Sequence, residues 1–405
     1  MRVLHLTTEF PPVIYGGLGT AVGGWVKACA RAGLEAAVQL VEGPLVFDDN
    51  AAIYGVPLRR NPNPGELAAH ECKEGIRFFQ CSWSDAISTG VRAAQEWRPD
   101  VVHLHTAMLW YLASAIKIAA GKPLVFHVHS VDRAEYEIGN EPNPFLAHGR
   151  AQEEAIIGSD RLIALTRSEE ILLRRYYPDA TPKIRVVGNG IEDTPAALEA
   201  CFSVRSGAAT VLYSGRLVER KGIRELLATI PEVLQAVPEA KFVLTGGPPR
   251  LPPTEIAAQW LQPKHTPFRD RIHFTGWQSP AEMVAWYASA DILAVPSRYE
   301  PFGMVILEGM LYGLGIVASD VGGPAEILDH GCTGLLFPAR DVAALSNALQ
   351  RLLKHPGERY SLGRAAARQV RNKWLWKDLV RPMLEVYQEC LVHWGTRIPN
   401  GQGAQ

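Results

Sequence analysis

Short apolar runs punctuate the chain at intervals of roughly 20 to 60 residues, and the stretches between them carry apolar residues at helical spacing. The first set comprises Val3-Leu-His-Leu, Ala36-Ala-Val-Gln-Leu-Val, Val101-Val-His-Leu, Pro123-Leu-Val-Phe-His-Val and Arg161-Leu-Ile-Ala-Leu. Runs this short and continuous predict strands covered on both faces, and their alternation with helices predicts βαβ units in a parallel sheet. The rhythm breaks at Glu192 to Ser206, where Pro195 and small residues show no strand pattern. It restarts with Thr210-Val-Leu-Tyr-Ser, Lys241-Phe-Val-Leu-Thr, Arg271-Ile-His-Phe, Asp291-Ile-Leu-Ala-Val, Gly315-Ile-Val-Ala-Ser and Gly334-Leu-Leu-Phe. The expected fold class is α/β, with two Rossmann-like, doubly wound parallel-sheet domains facing each other across a cleft. The expected boundaries are 1–192 for the first domain, 193–206 for a linker, 207–375 for the second domain, 376–394 for a final helix and 395–405 for a disordered tail.

In open sheets of this kind ligands bind beyond the carboxyl ends of the strands. The chemistry-bearing residues fall there. Pro296-Ser-Arg-Tyr-Glu-Pro-Phe-Gly-Met-Val-Ile-Leu-Glu308 follows an apolar run; it puts Glu300 at the mouth of a helix that Pro301 and Gly303 can open, and Glu308 more than a turn inside it. At about 1.5 Å per residue the two carboxylates lie on the order of 10 Å apart. That matches the reach of a hexose joined through a diphosphate to a ribose, so one carboxylate can hold sugar hydroxyls and the other ribose hydroxyls. Between them, the N–H groups of Phe302, Gly303 and Met304 are expected to point at an anion from the helix start. Arg216 and Lys221, five apart across the end of a strand, offer cations to a departing diphosphate, with Gly215 and Gly222 permitting a tight path. Arg220 and Arg224 are expected at the surface.

These segments resemble the E-x7-E region of retaining glycosyltransferases with the GT-B fold, specifically the large family four that includes glycogen synthases and the mannosyl- and glucosaminyl-transferases of cell envelopes. Ser214-Gly-Arg-Leu-Val-Glu-Arg-Lys-Gly222 and Val321-Gly-Gly-Pro-Ala-Glu-Ile are similar to two further family segments. So are Tyr15-Gly-Gly-Leu-Gly19, Val128-His129-Ser130 and Val187-Gly-Asn-Gly-Ile191, although Glu192 stands where the family usually has Asp. The resemblance implies a hexosyl transfer from a UDP-, ADP- or GDP-linked donor to an acceptor hydroxyl, with retention and front-face departure of the phosphate. It implies that Glu300 holds the sugar and Glu308 the ribose, that Arg216, Lys221 and the amides of Gly16 and Gly17 stabilise the leaving phosphate, and that His129 contacts the hexose. The helix start from Phe302 through Gly303, Met304 and Val305 joins the donor site, and backbone groups near Gly276 and Trp277 read the base. Tyr15, His105, Trp110 and Arg167 are acceptor-side candidates, while strand alternation is expected to turn His127 to the face opposite His129 and bury it. The final helix is expected to pack back on the first domain.

Bulk properties narrow the classes. A chain of 405 residues with 47% apolar and 20% charged residues is an ordinary globular protein of two or three domains. With 41 Lys plus Arg against 42 Asp plus Glu, its formal charge of −1 offers no general attraction to nucleic acid. Six scattered cysteines show neither zinc-site nor disulfide spacing, and no apolar stretch is long enough to span a bilayer; the expected location is cytoplasmic. Arg167, Arg174, Arg175, Lys183 and Arg185 around Ile171 allow at most peripheral membrane contact, with a solvated face as the plainer reading.

Competing readings remain. Gly17-x-Gly19-x-x-x-Gly23 with Glu42 mimics a dinucleotide-binding dehydrogenase, but Thr8 to Tyr15 intervenes between strand and glycines. Asp48-Asp49-Asn50 superficially resembles a metal-binding D-x-D in a proline-rich loop. No essential metal or cofactor is expected. Ile14 stands where bacterial glycogen synthases have lysine, which weighs against glucan elongation. A nucleotide-sugar 2-epimerase of the same fold and a silent nucleotide-sugar-binding protein are the remaining alternatives. The donor is a nucleotide sugar; the acceptor is a carbohydrate, a lipid-linked sugar or a small molecule.

Overall fold

The computed structural model describes residues 1–11, 14, 16–42, 69–71, 75–139, 146–202, 207–248 and 251–397. They form two compact units. One comprises Met1–Arg133, Asn143–Gly190 and Trp376–Gln405; the other comprises Ala134–Pro142 and Ile191–Leu375.

The first unit is built on an eight-stranded sheet. Its strands are β1 (Arg2–Thr7), β2 (Glu35–Glu42), β3 (Ala69–Glu71), β4 (Arg77–Ser82), β5 (Val101–Leu104), β6 (Leu124–Val128), β7 (Arg161–Ala164) and β8 (Ile184–Val186), ordered β3-β4-β2-β1-β5-β6-β7-β8. All neighbours are parallel except β3 with β4. Strands β5 and β6 are buried throughout, His103 and His127 included, as expected of parallel strands covered on both faces. The order runs outward in both directions from β1, which pairs with β2 on one side and β5 on the other. This makes β1/β5 the switch point of the sheet.

The second unit carries a wholly parallel six-stranded sheet of β9 (Thr210–Ser214), β10 (Lys241–Thr245), β11 (Ile272–Gly276), β12 (Ile292–Val295), β13 (Gly315–Ser319) and β14 (Leu335–Phe337), ordered β11-β10-β9-β12-β13-β14. Val211, Phe242, Ile292, Ala294 and Val317 from the strands pack with Leu226, Ile230 and Leu349 from the helices into one core. Its switch point lies between β9 and β12. Both sheets are thus Rossmann-like.

The structure departs from the sequence reading in several places. Strands β3, β4 and β8 went unread: β3 and β8 have only three residues each, and β4 lies just past the irregular, proline-rich stretch. The segment 193–206 contains the helix Pro195–Phe202, which belongs to the second unit. The final helix spans Trp376–Arg397, past the expected limit at 394, and belongs to the first unit. There Trp376 sits so close to Gly24 that a Cβ on that glycine would meet its indole at 2.1 Å. Of the expected tail, residues 398–405 lie outside the described residues, as do residues 43–68 with Asp48-Asp49-Asn50.

Candidate active site

In the second unit, the loops that leave β9 and β12 at the switch point pack backbone against backbone. Gly222, at φ +71, caps the short turn Glu219–Lys221 and opens the helix Ile223–Ala236. A Cβ there would lie 1.8 Å from the Pro296 carbonyl oxygen, so only glycine lets the two loops meet. The Arg298 N–H donates to the Arg220 carbonyl at 2.7 Å, and the Arg298 guanidinium pairs with Glu225 at 2.6 Å and Glu219 at 3.0 Å. From the other side, the Gly323 N–H donates to the Glu300 carbonyl at 2.9 Å, and a Cβ on Gly323 would fall 1.8 Å from the Phe302 oxygen. Two segments, 219–225 before it and 322–323 after it, therefore fix one loop, residues 296–303.

That loop carries the charged centre. The Lys221 ammonium donates to Glu300 Oε2 at 2.6 Å, and Ser297 Oγ donates to the same oxygen at 2.9 Å. Burial opposes ionisation of Glu300, but Lys221 and Arg220 outweigh it and hold the carboxyl below its ordinary pKa. Burial lowers Lys221 despite its partner. Arg220 is itself buried, with its guanidinium 3.3 Å from Glu135, which corrects its assignment to the surface; Arg224 is exposed as expected. Arg216 is exposed; its carbonyl accepts from Tyr213 Oη at 2.8 Å, while its guanidinium makes no hydrogen bond or ion pair among the described residues.

Glu308 lies in the helix Met304–Leu311, whose N-cap is Gly303 in the left-handed region at φ +95; Pro301 stands outside the helix rather than opening it. Met304 and Val305 occupy its first two positions, where N–H groups have no intrahelical acceptor. Tyr287 Oη donates to Glu308 Oε2 at 2.5 Å and also lies 3.3 Å from Ser214 Oγ. Burial raises the Glu308 pKa, partly offset by this hydrogen bond, and burial beside Glu308 raises Tyr287 well above its ordinary range. Sequence reasoning missed both Tyr287 and Ser297. For Tyr287 a signal existed: Ser279-Pro280-Ala281-Glu282 forms a capping box that starts its helix, Pro280–Ser289.

The ends of β9, β10 and β11 form a backbone row, with Gly215 N–H donating to Thr245 O at 3.2 Å and Gly246 N–H donating to Gly276 O at 2.8 Å. Trp277 follows, partly buried. Glu326 is exposed in the short helix Gly322–Ile327.

In the first unit, the helix Gly17–Arg31 starts directly after Gly16, whose N–H donates to Glu9 Oε2 at 3.2 Å. Gly17 is its first residue, and a Cβ at Gly19 would strike Ile14 at 2.3 Å. Five imidazoles cluster along β1, β5 and β6: His5, His103 and His127 within the strands, His105 and His129 just past their ends. His5 Nδ1 is 3.0 Å from His105 Nε2, and His105 Nδ1 is 3.3 Å from His129 Nε2. His103 Nδ1 is 2.6 Å from Tyr387 Oη. Burial lowers His5 and His129 to about 3 and the other three well below the ordinary value, so all are neutral at physiological pH. His127 and His129 stack on one face at 4.3 Å between ring centroids. This corrects the expectation that His127 points away: residues two apart on a strand share a face. Two overlapping trios, His5/His103/His105 and His105/His127/His129, each bring three ligand nitrogens within 4.8 Å of one another.

The acceptor-side candidates fare unequally. His105 is buried, with both ring nitrogens engaged by other imidazoles, so it is not open to a ligand. Trp110 is buried too, its N–H donating to Glu154 at 3.0 Å and its ring against Gly158. Both therefore serve the first unit's interior. Arg167 is exposed and pairs with Glu170 at 2.6 Å. Tyr15 lies outside the described residues. Of the basic group, Lys183 donates to the Ile157 carbonyl and Arg185 pairs with Glu389, while Ile171 is exposed.

Two family models match the chain in tandem: "Glycosyl transferase 4-like domain" over residues 16–190 and "Glycosyl transferases group 1" over residues 208–355. A D-inositol 3-phosphate glycosyltransferase of Salinispora tropica is 30% identical over 355 residues, covering 80% of this chain and 71% of that one. The chain belongs to the group 1 glycosyltransferases. A glycogen synthase of Mycobacterium tuberculosis is 28% identical across 96% of this glycosyltransferase and 94% of its own length. Among solved structures, Anabaena HepE in complex with UDP-glucose superposes with a TM-score of 0.67 at 18% identity, covering 98% of this chain and 100% of that one. The GT-B fold is thereby established for this glycosyltransferase, and the matched ranges correspond to its two sheet-bearing units.

Proposed function

We propose that this glycosyltransferase moves a hexosyl unit from a nucleotide diphosphate sugar to an acceptor hydroxyl with retention of anomeric configuration. The observation that carries the reading is the charged centre at the β9/β12 switch point: Lys221 and Glu300 paired there, with Glu308 and Tyr287 on the two helices beside it. The UDP-glucose in the HepE complex is the ligand class this centre suits.

In this reading the diphosphate meets Lys221, Arg216 and the N–H groups of Met304 and Val305, which together oppose the charge that develops as the sugar departs. Glu300 holds hexose hydroxyls and Glu308 the ribose. The acceptor enters on the face the phosphate leaves and loses its proton to that phosphate. Lys221, Arg216 and the helix start supply the positive field, so turnover needs no metal. Gly276 and Trp277 flank the base, read through backbone groups.

The test is a thermal-shift panel of uridine, adenosine and guanosine diphosphate sugars, followed by turnover with the stabilising donor and proton NMR of the earliest product. A ligand at 100 times its dissociation constant stabilises by about 2.7 kcal/mol. One stabilising donor and a retained anomer support the proposal; an inverted product refutes it. A second reading, glucan elongation, draws on the similarity to the mycobacterial glycogen synthase. It predicts lengthening of malto-oligosaccharides.

A further inference from the structure

The imidazole chain carries an inference about His129 that the donor-site reading does not contain. His5, His105 and His129 form a head-to-tail series in which both nitrogens of His105 are engaged, one by His5 Nδ1 at 3.0 Å and one by His129 Nε2 at 3.3 Å. A neutral imidazole has one N–H and one lone pair. Two hydrogen bonds in series therefore admit only two proton arrangements: every N–H points outward toward His129, or every N–H points inward toward His5. The far end decides between them. His5 Nε2 is buried without a hydrogen-bond partner among the described residues. In the inward arrangement that atom is an orphaned N–H; in the outward arrangement it is an orphaned lone pair. Buried orphan N–H groups are the rarer and costlier of the two.

We propose that the His5–His105 series locks His129 as a hydrogen-bond donor, its proton on Nδ1, and that His5 and His105 are positioning residues for that proton. His5 Nδ1–H donates to His105 Nε2, His105 Nδ1–H donates to His129 Nε2, and His129 is left with Nδ1–H as the group it offers outward. The series cannot conduct a proton, because among the described residues nothing accepts one beyond His5 Nε2. His129 consequently acts on an oxygen lone pair and not as a base. A transition metal on the His105/His127/His129 trio is the rival use of the same rings. The series favours hydrogen bonding, because a shared metal needs lone pairs that converge, whereas the lone pairs of His105 and His129 Nε2 are already engaged.

The experiment is a long-range proton–nitrogen correlation spectrum of the full chain labelled with ¹⁵N-histidine, at neutral pH and without substrate, assigned through His129→Asn and His105→Asn. The expected result is a single neutral Nδ1–H tautomer for both rings. An Nε2–H tautomer or an imidazolium at His129 overturns the proposal. His5→Leu removes the anchoring donor and should mix the tautomers at His105 and His129; His5→Asn, whose amide can stand where Nδ1 stands, should restore the wild-type pattern. Unchanged tautomers in folded His5→Leu overturn the role of His5. Should neither His5 variant fold, the wild-type spectrum still decides the tautomer. Stoichiometric Zn²⁺ that shifts these nitrogens to saturation makes the trio a metal site and overturns it as well. Because no substrate is present, failure here is separate from failure of the donor-site reading, which the thermal-shift panel decides.

Discussion

The ammonium of Lys221 and the carboxylate of Glu300, 79 residues apart in sequence, are joined at 2.6 Å. Both are largely buried, and breaking such a pair from one side leaves the other charge uncompensated, at a cost of about 3–5 kcal/mol. Lys221→Ala and Glu300→Ala should each destabilise the protein by more than the double variant's excess over either, and each should lower kcat by roughly a hundredfold or more. Denaturant melts and steady-state kinetics of the three variants check this. Strictly additive stabilities would mean the pair is not coupled.

Arg216 should behave differently. Its side chain is exposed and makes no hydrogen bond or ion pair among the described residues, so Arg216→Ala should leave stability within about 0.5 kcal/mol of wild type while turnover falls by roughly a hundredfold. Wild-type turnover would remove it from the site.

Glu308 gives a pH signature. Its folded-state pKa is raised, so the carboxyl's favourable contribution is complete below the unfolded value of about 4.3 and is lost as pH rises through the folded value. Glu308→Gln keeps an acceptor for the Tyr287 hydroxyl and cannot ionise. Its Tm should exceed that of wild type by a few degrees at pH values above neutrality, roughly 2–4 °C for each kcal/mol. The gain should vanish near pH 4, and a constant difference across pH would contradict the assignment.

Gly323 is a steric prediction. A Cβ there would stand 1.8 Å from a backbone oxygen of Phe302, which no rotamer change relieves. Gly323→Ala should cost at least about 4 kcal/mol or abolish folding, whereas Gly357→Ala, with nothing within 4 Å of its Cβ, should cost little.

Much of this architecture was legible because parallel strands buried on both faces write themselves as unbroken apolar runs, and Val211-Leu-Tyr and Ile292-Leu-Ala-Val are such runs. The glycines were legible as punctuation, but what each meets was not: nothing local says that Gly222 faces Pro296 or that Gly323 faces Phe302. The same holds for the charged groups. Arg220 reads as a loop arginine, and its burial depends on Glu135, 85 residues earlier. His105 looked open to an acceptor because a strand end was visible, while the rings of His5 and His129 that enclose it come from other strands. The misplacement of His127 came from applying strand alternation over two residues rather than one.

The most direct measurement of the central claim is calorimetric binding of the free nucleoside diphosphate to wild type, Glu308→Ala and Glu300→Ala, alongside kinetics with the intact donor. If Glu308 holds the ribose, its contact exists equally in the ground and transition states, so Glu308→Ala should weaken the nucleotide and raise the donor KM; Glu300→Ala should leave nucleotide affinity nearly unchanged and lower kcat. Loss of nucleotide affinity in Glu300→Ala alone would mean that the donor runs the opposite way along the helix Met304–Leu311. No nucleotide binding by the wild-type protein would contradict the account outright.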